Sequence, residues 1–289
     1  GVHAATQAKT FPTPEAAVSA LGAAANAKDR AGLRALFGLD ADELVASDQV
    51  EATNELSAFS AAFNQTNRIV RQSENRYVLE VGSANWPFPI PLVKQGGQWF
   101  FDTDAGKEEL LNRRIGRNEL DVLEVVRGYV DAQREYASRD RDEDQVLEYA
   151  QKIVSSSGTK DGLYWPLALD GEKSPLGPMV AEAQDEGYTL ESQGEVVERR
   201  AFHGYYFKIL TRQGKHAPGG KYNYIINENM IGGFALVAWP ADYGESGVMT
   251  FIVNQQGRVY QKDLEGKTEK VGPAMTEYNP DSTWRLSPE

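Results

Sequence analysis

Apolar residues recur at helical spacing three times in the first third of the chain. Thr13 suits a helix cap and Pro14 the first helical position, after which Ala17, Val18, Leu21, Ala24 and Ala25 fall on one face. A short second helix uses Leu33, Leu36 and Phe37, and a third carries Leu56, Phe59, Ala62 and Phe63 along one side. The period then changes from that of a helix to that of a strand. RIVRQ, RYVLEVG, PFPIPLVKQ and QWFFDT are rich in β-branched and aromatic residues, and Gly96-Gly97 supplies a hairpin turn between the last two. Prolines at 87, 89 and 91 occupy alternate positions, which fits an edge strand whose outward N–H groups need no partner. Helices that cover one curved antiparallel sheet predict a small cone-like α+β domain.

The pattern changes again at TDAGKEELLNRR, residues 103–114, which reads as a joint. From Glu119 onward, Val122, Leu123, Val125, Val126, Tyr129, Val130 and Tyr136 form the stripe of a helix packed along one side. Beyond a stretch rich in Gly, Pro and Ser, strands return at GYYFKILTR, KYNYIINE, GGFALVAWP, GVMTFIVN and RVYQKDL, with Gly257 in the last turn. The expected organisation is a flexible terminus over 1–12, a nuclear-transport-factor-2-like or cystatin-like α+β domain over 13–105, and a long helix on an antiparallel sheet over 106–289.

A chain of 289 residues is long for a single core, and 41% hydrophobic residues suffice to fold two. The formal net charge of -12 opposes binding to a phosphate backbone or an anionic bilayer. No apolar run reaches the roughly 18 to 20 residues of a membrane-spanning helix. Val2-His3-Ala4 suits the small-residue positions ahead of a signal cleavage site, so an apolar leader and export are expected. The absence of cysteine removes thiolate nucleophiles, disulfides and thiolate metal sites.

Several unusual blocks follow in one order: WPFPIPLV, FDTDAGKEELLNRRIGRNEL, VVRGYVDAQREYA, DGLYWP, SPLGP, HGYYFKIL, APGGKYNY and GGFALVAWPADYGESGVMTFIVNQQGRVYQKDL. In these the chain resembles the bacterial domain-of-unknown-function family 2950, a group of predicted exported proteins with no assigned activity. The resemblance spans nearly the whole chain and is densest over 86–264. The second half is also similar to the soluble head of pilin-like proteins, in which a long helix lies on an antiparallel sheet. It departs from them in carrying the charged GKEELLNRRIGRNEL where those proteins have an apolar membrane segment.

Most candidate chemistry is incomplete. Asp140, Asp142 and Asp144 alternate like the start of a calcium loop, but Gln145 and Gln151 stand where its Gly and bidentate Glu belong, so no metal is expected. Ser157 to Lys160 satisfies S-x-x-K, and Gly244-Glu245-Ser246-Gly247 approaches an esterase elbow; neither has its surrounding signature. EGKTEK ends like a P-loop but has Gln261 at its first glycine position, and the glycines of GGFALVAWPADYGESG lead into strands rather than helices, so no phosphate cradle or cofactor is expected. The three histidines, at 3, 203 and 216, have no zinc spacing. His203 is placed at the start of a strand.

Two binding regions are expected. One is the cone, where Phe59 and Phe63 would face strands carrying Trp86 and Trp99. The other is a rim where DGLYWP approaches HGYYFKIL, combining Asp161, Trp165, His203 and Tyr205. The expected protein is a monomeric, non-enzymatic binding or scaffolding protein of the cell envelope, with a small molecule or envelope protein as partner. The alternative is a cofactor-free hydrolase using carboxylates or His203.

Overall fold

A computed structural model describes residues 8–167, 171–186, 188 and 201–288. His3 and the Val2-His3-Ala4 junction lie outside them. The chain is α+β and groups into two compact units, one up to Arg114 and one from Ile115 onward.

The first unit opens with α1 (Pro14–Asn26), α2 (Arg30–Phe37) and α3 (Gln49–Gln65). Each starts on a side-chain cap that satisfies otherwise orphaned N–H groups: Thr13, Asp29 and Asp48 accept from Ala16, Gly32 and Val50. Five strands follow, β1 (Asn67–Arg71), β2 (Arg76–Val81), β3 (Trp86–Pro87), β4 (Leu92–Gln95) and β5 (Gln98–Phe101). Their order is β1-β2-β4-β5, with β3 also on β2. PFPIPLVKQ is therefore not one edge strand. It breaks after Pro87, because Pro89 and Pro91 cannot donate to a ladder, and resumes as β4 between two neighbours.

Phenylalanine rings meet in the core of the first unit. Phe59 packs on Phe88 with ring centroids 5.2 Å apart, and Phe37 meets Phe101 at 5.4 Å. Trp99 belongs to the same core and packs on Tyr77 at 4.6 Å, while Trp86 is 43% exposed beneath the Arg113 guanidinium. Phe59 and Phe63, expected to face Trp86 and Trp99, have no ring contact with them among the described residues, and Phe59 meets Phe63 and Phe88 instead.

The segment read as a joint is helical. Helix α4 runs Thr103–Tyr136, starting sixteen residues before Glu119, and the boundary between the units falls within it. Asp102 accepts from the Ala105 N–H at 3.2 Å, and Glu109 pairs with Arg113 one turn later at 2.7 Å. Gly106 is required by space: a Cβ there would lie 2.6 Å from the Ile90 Cα. In the first unit, buried Arg114 reaches Glu55 and the Leu44 carbonyl.

In the second unit come the parallel pair β6 (Lys152–Val154) and β7 (Gly162–Tyr164), then α5 (Gly177–Asp185). Then follow β8 (Tyr205–Leu210), β9 (Arg212–Gln213), β10 (Tyr222–Asn223), β11 (Ile225–Ile226), β12 (Asn229–Met230), β13 (Ala235–Pro240), β14 (Met249–Asn254), β15 (Tyr260–Asp263), α6 (Thr268–Ala274) and β16 (Arg285–Leu286). The main sheet is antiparallel in the order β16-β15-β14-β13-β8. Val122, Val126 and Val130 of α4 share one core with Leu236, Ala238, Phe251 and Val253 of that sheet. KYNYIINE, expected as one strand, is split at Tyr224: β10 before it pairs with β9, and β11 after it pairs with β12 across a turn in which Asn227 and Glu228 take left-handed backbone. No helix among the described residues is long and apolar enough to cross a membrane.

Candidate functional site

Phe202 and Tyr205 exchange backbone hydrogen bonds, Phe202 N–H to Tyr205 O at 2.8 Å and Tyr205 N–H to Phe202 O at 3.0 Å. Between them His203 and Gly204 have φ of 50° and 72°, so they form the two central residues of a tight hairpin. His203 is thus in a turn and not at the start of a strand. Left-handed backbone costs a residue other than glycine about 1 to 2 kcal/mol, which the surrounding contacts must offset. Gly204 has no alternative, since a Cβ there would lie 2.8 Å from both Asn118 Nδ2 and Ser246 Cβ.

The His203 ring is flanked by two carboxylates and two aromatic rings. Its Nδ1 lies 3.4 Å from Asp121 Oδ2 on α4, and its Nε2 lies 3.5 Å from Glu186 Oε2 just after α5. Phe202 and Tyr188 pack on it with centroids at 4.2 and 5.8 Å, and the His203 N–H donates to the Tyr188 hydroxyl. The histidine side chain is 18% exposed and both carboxylates 38%, so solvent reaches the acids more than the ring. Burial raises the Asp121 pKa; His203 and Arg117 oppose that rise, and Glu124 adds to it.

Tyr205 serves packing. It is fully buried, its hydroxyl donates to Met249 O at 2.9 Å, and its ring meets Phe251 at 6.0 Å. Burial pushes its phenol far up, with Glu119 adding to the rise. Glu119 itself accepts from the Val248 and Met249 N–H groups at 3.0 and 2.9 Å, fixing the start of β14 to α4. The elbow-like Gly244-Glu245-Ser246-Gly247 belongs to the same support: Ser246 is buried, and its hydroxyl donates to Gly204 O.

Asp161 and Trp165 sit at the β6–β7 pair. Asp161 accepts from Lys152 Nζ, Ser156 N, Ser156 Oγ and Thr159 Oγ1. Burial raises its pKa, but these bonds outweigh burial and hold the carboxyl well below the usual carboxylate range. Trp165 is 1% exposed; its Nε1 donates to Glu172 O at 3.0 Å, with Arg141 and Lys160 over its face. Lys160, the lysine of the S-x-x-K match, is paired with Glu172.

The four expected rim residues therefore form two pairs. Asp161 and Trp165 stand beside the short parallel strands, and His203 and Tyr205 share the hairpin. Among the described residues no hydrogen bond, ion pair or ring contact joins one pair to the other. The residues that do surround His203, namely Asp121, Glu186, Tyr188 and Phe202, were missed from the sequence. An available signal was His-Gly flanked by aromatics, the composition of a two-residue turn with positive φ.

Oxygen atoms of Asp140, Asp142 and Asp144 lie within 4.8 Å of one another, a spacing a hard cation tolerates. Asp140 already accepts from Glu143 and Gln145 N–H, and Asp144 from Val146 N–H and Asn229 Nδ2, so these acids hold their own loop. Burial raises nearby Glu148, the Met230 N–H lowers it, and Asp142 raises it.

A family model matches residues 8–286, nearly the whole chain. The chain belongs to the family described as protein of unknown function, DUF2950. The match reaches across both units, so the histidine hairpin and the phenylalanine cluster of the first unit are parts of one DUF2950 chain. No curated protein and no solved structure matches it.

Proposed function

We propose that this chain is a non-enzymatic binding or scaffolding protein of the cell envelope, acting as a monomer in the periplasm or outside the cell, with the His203 hairpin as its contact surface. The observation that carries the reading is the carboxylate on each side of one imidazole, Asp121 at Nδ1 and Glu186 at Nε2. A general base needs a lone pair aimed at substrate. Here each ring nitrogen faces a carboxylate of the protein itself, so neither is turned toward a ligand. Partly exposed acids beside aromatic rings suit recognition of a polar or cationic group. Export rests on the resemblance to predicted exported proteins, and the nuclear-transport-factor-2-like and pilin-head-like descriptions of the two units belong to this same proposal.

The second reading, a cofactor-free hydrolase, is favoured by one observation: burial raises Asp121 directly beside a histidine. One experiment separates the two. Purified protein is screened against esters, glycosides and peptides for turnover, and against a small-molecule collection by thermal shift. The binding reading expects shifts that vanish in His203→Ala and no turnover that depends on His203. Turnover abolished by His203→Ala and kept in an exposed-residue control overturns it. For location, the tagged full-length gene product is fractionated; recovery in the cytoplasm alone overturns the envelope assignment.

A further inference from the structure

The first unit has an open groove of about 350 Å3 between α1, the end of α3 and the edge strand β1. Its floor is Phe63, whose ring lies directly on the backbone of Gly22; a Cβ on that glycine would be 2.3 Å from the ring. Val18 and Ile69 form its sides, and Glu15 and Ser19 stand on its rim. The size falls within the roughly 300 to 1,000 Å3 of small binding sites, and the lining combines an apolar floor with a few polar groups.

Two further features bear on what fits there. All five residues of β1 pair with β2 on one side, and no strand pairs with its other side among the described residues. Asn67 and Ile69, two apart, both line the groove, whereas Arg68 between them pairs with Glu80. The row of backbone groups on the open side of β1 therefore runs beside the groove. The exposed Glu15 carboxylate on the rim, in the first turn of α1, has no hydrogen bond or ion pair among the described residues and is the one formally charged side chain of the groove lining.

We propose that this groove binds an extended peptide segment that adds a strand to the open side of β1. It would lay an apolar side chain on Phe63 and direct a lysine or arginine, at an even spacing from it, to Glu15. An added strand presents every second side chain to the groove face, which explains the spacing. Main-chain hydrogen bonds supply affinity in this mode, and the alternate side chains supply selectivity. The site is separate from the histidine hairpin and does not depend on the role proposed for it.

The test uses the intact chain and a displayed library of random ten-residue peptides, followed by fluorescence polarisation with an enriched peptide. Enriched sequences are expected to place an apolar residue and a Lys or Arg two or four positions apart. Ser19→Trp fills the groove from an exposed helix position, and Glu15→Lys reverses the rim charge. Each is expected to weaken the selected peptide at least tenfold while circular dichroism remains that of the parent chain. N-methylation of the peptide's backbone nitrogens one at a time is expected to abolish binding at alternate positions, those whose N–H faces β1, and to leave it unchanged at the positions between. No enrichment, a consensus without a basic residue, or binding unchanged by Ser19→Trp overturns the proposal.

Discussion

The Ser246 hydroxyl donates to the carbonyl oxygen of Gly204 at 2.7 Å, and the Ser246 carbonyl accepts from Asn118 Nδ2 at 3.0 Å. One buried serine thus ties the histidine turn to the loop before β14 and to α4. Ser246→Ala removes the donor to Gly204 and the acceptor for the Asp242 N–H, leaving buried polar groups unmade. Urea denaturation is expected to show a loss of about 1 to 3 kcal/mol. A loss within error would mean the turn holds itself.

Gly204→Ala should be worse than Ser246→Ala, because the added Cβ meets both Asn118 and Ser246 while the backbone keeps positive φ. Steric and conformational penalties together are expected to reach about 2 to 4 kcal/mol. A chemical-denaturation midpoint equal to that of Ser246→Ala would contradict this ordering.

Asp161 and Asp121 predict pH slopes of opposite sign. The folded-state pKa of Asp161 is depressed, so its contribution is present above the ordinary carboxylate range near 4 and lost as pH falls through the lower folded value. Asp161→Asn should therefore flatten the acid limb of a melting-temperature profile. A limb as steep as that of the parent chain would show that the four donors do not act as described.

The folded-state pKa of Asp121 is raised, so its contribution is greatest below the ordinary value and declines as pH rises through the higher folded one. His203 opposes the rise, hence His203→Ala should raise the Asp121 value further. Carboxyl NMR titration reads this directly. A fall on removing His203 would mean that burial by the ring outweighs its charge.

Arg114 is buried, with Glu55 at 3.5 Å and a donor bond to the Leu44 carbonyl. Arg114→Ala should destabilise the chain by about 3 kcal/mol, the scale for breaking a buried pair. Thermal unfolding of the variant checks it, and a melting point matching the parent would place the guanidinium in solvent.

What could be read from the sequence was set by local chemistry. Thr13-Pro14 starts α1 and Gly96-Gly97 turns β4 into β5, because caps and positive-φ turns leave their mark within four residues. The apolar stripe from Val122 to Tyr136 likewise marks the half of α4 that packs in the second core. The first half escaped notice because Lys107, Glu108, Glu109 and Arg113 show charge pairing in place of an apolar face. Helix α6 contains Gly272 and Pro273, poor helix formers, and it persists by packing, since Gly272 lies against Trp239. The pair β6–β7 is three residues long on each side and parallel, so its pattern is too short to read. The His203 surroundings come from α4, the end of α5 and one turn, and no spacing in the sequence records such a meeting.

The Tyr129 hydroxyl donates to the carbonyl of Ala235, 106 residues later. A ribosome therefore finishes α4 long before it begins the strands that cover it. At roughly 5 to 20 residues per second, the apolar stripe of α4 waits at least about five seconds for β13. During that interval the nascent second unit cannot close. Its hydrophobic helix face is made first and is covered only when the later strands arrive, so the order of synthesis leaves one half of the second core waiting for the other.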